Sequence, residues 1–195
     1  MKKINLVLLA LLFAVLTLSA QTKWSIDKAH SEVGFSVSHM VISDVEGKFH
    51  NYDGTIETNN NNWESAKINF TVEVASIDTD NEQRDNHLRS DDFFNAGKYP
   101  NITFVSKAMK KVGENKFKLT GDFTMRDVTK EISLDVEHKG TVTDPWGNTR
   151  AGFEITGEVN RMDYGVKWSK SLDTGGLVVG NEVEFDISLE IIQQK

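Results

Sequence analysis

The sequence predicts an all-β protein: a single antiparallel barrel of about eight strands with a short helical lid segment. Three observations carry that reading. Apolar and polar residues alternate with period two in eight separate runs, the mark of strands buried on one face only. Stretches rich in Gly, Asn, Asp and Pro divide the runs, where a helical fold would show a 3.6-residue period. One stretch, 80–95, is too polar for a strand and too long for a turn.

The runs follow in order. The first turns Val33, Phe35, Val37 and His39 to one side, with Glu32, Gly34, Ser36 and Ser38 on the other. The second holds Val45, Gly47 and Phe49 and, past the turn-like 51–54, Ile56. The third is the most regular, with Ala66, Ile68, Phe70, Val72 and Val74 set against Lys67, Asn69, Thr71 and Glu73. Ile102, Phe104, Ser106 and Ala108 make the fourth after Pro100, and Phe117, Leu119, Gly121, Phe123 and Met125 the fifth. Ile132, Leu134, Val136 and His138 form the sixth, and Ala151, Phe153, Ile155, Gly157 and Val159 the seventh. Val183, Phe185, Ile187, Leu189 and Ile191 close the chain. Turn chemistry sits between them at 112–115, 144–148 and 174–176, and the asparagines 59–62 read as a solvated loop. In 80–95, Thr79 or Asp80 is placed to cap a short helix, with Leu88 and Phe94 able to touch a barrel rim as a plug or lid.

Eight strands with one apolar face bury that face by closing on themselves. A barrel of this size either fills with its own side chains or holds one small ligand. Gly47, Ala66, Ser106, Ala108, Gly121, Ala151 and Gly157 on the inward face would leave volume; interdigitation with larger neighbours would consume it. The residues alone leave both outcomes open. If a cavity exists, Phe35, Val37, Phe49, Ile68, Phe70, Phe104, Phe123, Phe153 and Phe185 are its candidate wall. His39, beside Met40 and in phase with Phe35, either meets a polar group inside or is an ordinary satisfied core histidine. Trp168 is placed to cap a mouth. On the lid, Arg84, Asp85, His87 and Arg89 suggest gating or head-group contact, but no nucleophile motif accompanies them. Arg126, Arg161 and Asp163 are expected in ion pairs or turn hydrogen bonds. The five His lack metal-ligand spacing, so no metal is expected.

The first twenty residues have another purpose. Lys2 and Lys3, the apolar run from Leu6 to Leu16 and the small residues Thr17, Ser19 and Ala20 make a secretory signal peptide, cut after Ser19 or Ala20. The mature domain is then 21–195, periplasmic or secreted. With no Cys, lipoprotein anchoring and disulfides are both excluded. A formal charge of −7, more acidic once the leader is gone, excludes nucleic acid as a partner.

These segments resemble the YceI-like family of exported, polyisoprenoid-binding, lipocalin-like barrels. The likeness runs through Trp24-Ser-Ile-Asp27-Lys-Ala-His30-Ser31, Val33-Gly-Phe35-Ser-Val37-Ser-His39-Met40 and Val45-Glu-Gly47-Lys-Phe49. It continues in Ser76-Ile-Asp78-Thr79, Arg84-Asp85-Asn-His87-Leu88, Asp91-Asp-Phe93-Phe94 and Lys98-Tyr-Pro100. Leu119-Thr-Gly121-Asp-Phe-Thr124-Met-Arg126-Asp-Val-Thr129, Arg161-Met-Asp163-Tyr-Gly165 and Val179-Gly180-Asn-Glu-Val183 complete it. The resemblance implies a long tunnel and non-catalytic sequestration or transport of a long apolar lipid, a polyisoprenoid or isoprenoid quinone, with no cofactor beyond that lipid. Transient contact with a membrane or membrane protein is left open as a partner, and so is oligomeric state, a dimer included. The competing expectations are a hydrolase-like enzyme at the barrel mouth and a protein-interaction barrel with a solid core.

Overall fold

The computed structural model describes residues 21–173 and 175–195, so the expected signal peptide lies outside the described residues. The strands are β1 Gln21–Ile26, β2 Glu32–His39, β3 Ser43–Phe49, β4 Tyr52–Asn59, β5 Asn62–Glu73 and β6 Ile77–Asp78, then helix α1 Glu82–Arg89. They continue as β7 Asn101–Gly113, β8 Lys116–Met125, β9 Val128–Thr143, β10 Thr149–Asn160 and β11 Val179–Gln193. All pairing is antiparallel within one sheet, and β1 returns to β11 to close an eight-stranded ring.

Eleven strands and eight runs agree because three staves of the barrel are broken in the middle. β1 and β2 lie end to end along β11: Trp24 faces Gln193 and Ile26 faces Ile191, then Val33 faces Ile187 and Val37 faces Val183. A single 3-10 turn, Lys28–His30, is inserted where they meet, capped by the Asp27 side chain on the Ala29 amide. β3 and β4 lie along them in the same way, and β5 and β6 along β3 and β4. The last two breaks interlock at Ser76, which receives the His50 amide on its carbonyl and the Asn51 amide on its hydroxyl. Backbone groups freed by each break are thereby re-paired.

Alternation predicts the inward face well except at bulges. In β7, Ile102 and Phe104 face the core, the register shifts between Ser106 and Ala108, and Met109 (5 % exposed) is the next buried residue. One extra residue exchanges the two faces, so the inward place expected for Ala108 belongs to Met109. The Ser106 hydroxyl meanwhile accepts the Ile68 amide at 2.8 Å, standing in for a ladder carbonyl. The inward glycines do not hold open space either. A Cβ at Gly47 would come within 2.5 Å of the Phe35 ring, at Gly121 within 2.5 Å of the Phe104 ring and of the Val105 carbonyl, and at Gly157 within 2.5 Å of Leu134. Each glycine lets a large neighbour lie flat against the wall, and the room gained is nearer the axis.

Outside the seam where β11 meets the N-terminal stave, Arg150 gathers three carboxylates: Asp27 at 2.6 Å, Asp144 at 2.8 Å and Glu190 at 2.5 Å. Hydrogen bonds from His30 and Arg150 hold the Asp27 carboxyl below its usual range, and Arg150 holds Asp144 lower still. A carboxylate whose pKa is depressed by folding contributes stability above its unfolded pKa and loses it as the pH falls. Thermal melts should therefore show Tm declining once the pH drops below about 4, with a shallower decline for Asp144→Asn. Gly121→Val should lower stability by about 1–3 kcal/mol, read as an earlier denaturant midpoint at unchanged slope; an unshifted midpoint would show that Phe104 moves aside freely.

Candidate functional site

Inside the ring is a cavity of about 200 Å3. It touches Trp63, Met109 and Ile191 near the tight hairpins at one end and Leu88, Phe93 and Val166 at the end where α1 lies. Along β11 it is lined from Val179 to Ile191. At ~3.3 Å per residue and a strand tilt of 35–45°, that span is roughly 30 Å along the axis. So small a volume drawn out over such a length has the width of one chain.

The wall is made as the alternation predicts. Phe35, Val37, Phe49, Ile68, Phe70, Phe104, Phe123, Phe153 and Phe185 all line the cavity. Among the described residues, the only ones in the lining with a hydroxyl or a charge are Thr103 and Arg161. Nothing in such a wall competes for water, so it stays dry and favours an apolar occupant.

The two ends are closed by different means. At the hairpin end Trp63 packs on Trp24 with centroids 5.1 Å apart and edge-on to Phe153 at 4.9 Å. His138 completes this stopper, 5.0 Å from Phe153, and burial lowers its pKa. The Trp24 indole N–H is satisfied by the buried Thr58 hydroxyl at 3.2 Å. Trp63 is out of phase with Ala66 and Ile68 because the β4–β5 register shifts near the hairpin, which is why alternation alone misses it.

At the opposite end α1 and the loop after it form the lid, pinned by side-chain hydrogen bonds to backbone. Asn81 caps the helix by accepting the Arg84 amide. The buried Asp85 carboxylate accepts from the Thr79 amide (2.9 Å) and hydroxyl (2.5 Å). Arg89 donates to the Ala75 and Ile77 carbonyls, and Arg126 to those of Asp91 and Phe93. Leu88, Phe93 and Phe94 thereby present their side chains to the cavity. Trp168 stacks over Phe93 at 5.3 Å and stands outside the lining, as a cover rather than a wall.

Four expected contacts lie elsewhere. His39 ends β2, paired with Ser43 and Val179 and beyond the lining residues. Met40 belongs to the turn after it, 39 % exposed, with a left-handed φ of 53° that takes it out of the strand's alternation. The Arg84 guanidinium turns to Thr79, donating to its hydroxyl (2.7 Å) and carbonyl (2.6 Å), and is not among the lining residues. His87 is exposed, bonded to Asp92 at 2.9 Å and edge-on to Phe93 and Trp168. Helical geometry sends Leu88 inward and so turns His87 outward. Asp85 and His87 make no pair with each other, and among the described residues the lining holds no histidine or carboxylate that could act as a base beside a nucleophile.

Arg161 was expected in turn hydrogen bonds and is found in them. It is 3 % exposed and donates to the carbonyls of Gly180, Val166, Trp168 and Val179. Asp163 pairs with Lys130 at 2.7 Å. Asp27, His30 and Glu190 come near enough together to hold a cation, but Arg150 already engages both acids.

A YceI-like domain model matches residues 24–191. A UPF0312 protein of Staphylococcus aureus (strain MSSA476) is 37 % identical over 170 residues, covering 87 % of this chain and 96 % of that one. The crystal structure of the Campylobacter jejuni YCEI protein is similar with a TM-score of 0.71 and 36 % identity, covering 87 % of this chain and 96 % of that one. A polyisoprenoid binding domain from Saccharophagus degradans shares the fold at a TM-score of 0.62 and 16 % identity, over 88 % of this chain and 98 % of its own. A barrel with an apolar core running between its ends, matched by this family over nearly the whole described length, establishes that the chain belongs to the YceI-like family.

Proposed function

We propose that the protein binds one long apolar lipid inside the barrel, sequestering or carrying it without chemical change after export. The observation that carries this reading is the narrow apolar cavity, drawn out along the barrel axis with a wall almost free of polar side chains. Apolar surface removed from water is worth about 25 cal/mol per Å2, so a chain threading roughly 30 Å of such wall gains many kcal/mol before ordering costs. A polyisoprenoid chain, free or attached to a quinone ring, has the required length and narrowness, and polyisoprenoid binding is what the Saccharophagus degradans domain is named for. Catalysis on that lipid has no support in the site: His30, His50 and His87 each bond an aspartate on the outer surface, away from the cavity.

The direct test is organic extraction and mass spectrometry of protein purified from its native envelope. A single long-chain lipid per barrel is expected, and repeated recovery of empty protein would end the proposal. Ala66→Phe adds a ring to the wall near the Trp63 stopper. It should shift the bound population to shorter chains, seen as a lower ligand mass in native spectra. His39→Ala and His87→Ala lie off the lining and should change the bound amount by no more than about twofold.

A further inference from the structure

The turn joining β2 to β3 is built from residues that a turn of its shape disfavours. Met40 and Val41 stand at its centre with left-handed φ of 53° and 67°, and the Ile42 amide closes it by donating to the His39 carbonyl at 3.2 Å. Two left-handed residues in a row suit Asn and Gly, and the β4–β5 hairpin puts Asn60 and Asn61 there, at φ of 51° and 58°. A β-branched residue in that region crowds its own backbone, so Val41 costs the fold stability. Burial does not offset the cost. Val41 is 70 % exposed, Ile42 85 % and Met40 39 %, one continuous apolar tip in contact with water. The tip belongs to the rim of the cavity. β2 and β11 reach the α1 end of the barrel side by side, His39 opposite Val179, and Val37 and Val179 are cavity wall. The Met40 amide donates to the Val178 carbonyl and the Val178 amide to that of Lys170, which ties the tip to the segment carrying Trp168, the cover over Phe93.

We propose that Met40, Val41 and Ile42 are a membrane-docking tip, which enters the interface of a lipid bilayer and sets the lid end of the barrel against it. The choice of a bilayer rests on the carrier reading above: a long apolar lipid has no aqueous phase to come from, so the barrel must meet the membrane that holds it. Size points the same way. A stable protein–protein contact buries about 800 Å2 on each partner, far beyond three side chains, whereas a bilayer accepts a small apolar wedge without matching its shape. With Asn and Gly at its centre the turn would be more stable and would have less to insert. Trp146 is also exposed, but in the β9–β10 turn at the hairpin end, where the Trp63 stopper shuts the cavity.

The test is sedimentation of residues 21–195 with sucrose-loaded phosphatidylcholine vesicles, neutral because an acidic chain is repelled by anionic head groups. The unaltered protein should pellet with the vesicles in proportion to the lipid present. In the double variant Val41→Asn, Ile42→Ser the partition coefficient should fall about tenfold or more. Asn tolerates the left-handed region, so the same variant should unfold at an equal or higher denaturant concentration. Lost binding is then not lost folding. Trp146→Ser should leave the partition coefficient within about twofold. Unaltered protein that stays in the supernatant, a double variant that pellets equally, or loss of pelleting in Trp146→Ser overturns the docking tip. So does a dimer in solution that the double variant splits, which assigns the tip to a second copy of the chain. Uptake of diphenylhexatriene, an apolar rod, is measured without vesicles and reports on the carrier reading separately. Uptake without vesicle binding overturns the tip alone; vesicle binding without uptake overturns the carrier reading and leaves the tip standing.

Discussion

Everything in this molecule depends on closure of the ring at β11. An open sheet of these strands would expose an apolar face and two unpaired edges, each a site for aggregation. β11 removes both liabilities by pairing with β10 along one edge and with β2 and then β1 along the other. Once the edges are used up, the wall satisfies its own backbone and the inner face need contain nothing polar. The carboxylates gathered on Arg150 lie across this seam, from the β1–β2 junction, the β9–β10 turn and β11. Partly shielded from water, they hold the seam more firmly than an exposed pair would.

The barrel is not symmetrical from end to end. Around the Trp63 stopper the closure is made of rings packed in a buried cluster, and the strands there are joined by short hairpins. Around α1 the closure is a loop whose attachments are side chains reaching backbone carbonyls. Such attachments break singly, whereas a packed core gives way only as a unit. The α1 end adds Phe93, buried in the core, to those attachments, and it also carries the buried charge of Arg161.

Much of this was legible in the sequence, because period-two alternation is imposed by the pleat and survives any tertiary context. Each of the eight runs corresponds to one stave, and each candidate Phe on the wall is found there. What alternation cannot show is where it is interrupted. The bulge that exchanges Ala108 for Met109, and the shift that brings Trp63 inward, leave no local mark in composition. Small residues left the question open for a related reason: whether the place beside Gly121 is filled depends on Phe104 of the neighbouring strand. His39 and Met40 lie off the lining at a strand end, where the rule stops applying, and Arg84 and His87 lie off it because helix composition does not say which face turns inward. That Arg161 would be held by backbone carbonyls was beyond reach, since the partners of a buried charge are a property of three-dimensional neighbours.

The broken staves bear on how the chain reaches its native form. All three belong to the first third of the molecule, and the N-terminal pair β1 and β2 has β11 as the partner on its outer edge. Hairpins such as β7–β8 and β9–β10 can assemble from residues close together in the chain. The ring itself must wait for its final fifteen residues, which travel the full sequence distance to meet its beginning. Long-range pairing of that kind is slow, because the entropy of a large loop is lost before any contact repays it. A chain cut short by that one strand would leave the first stave with nothing to shut against.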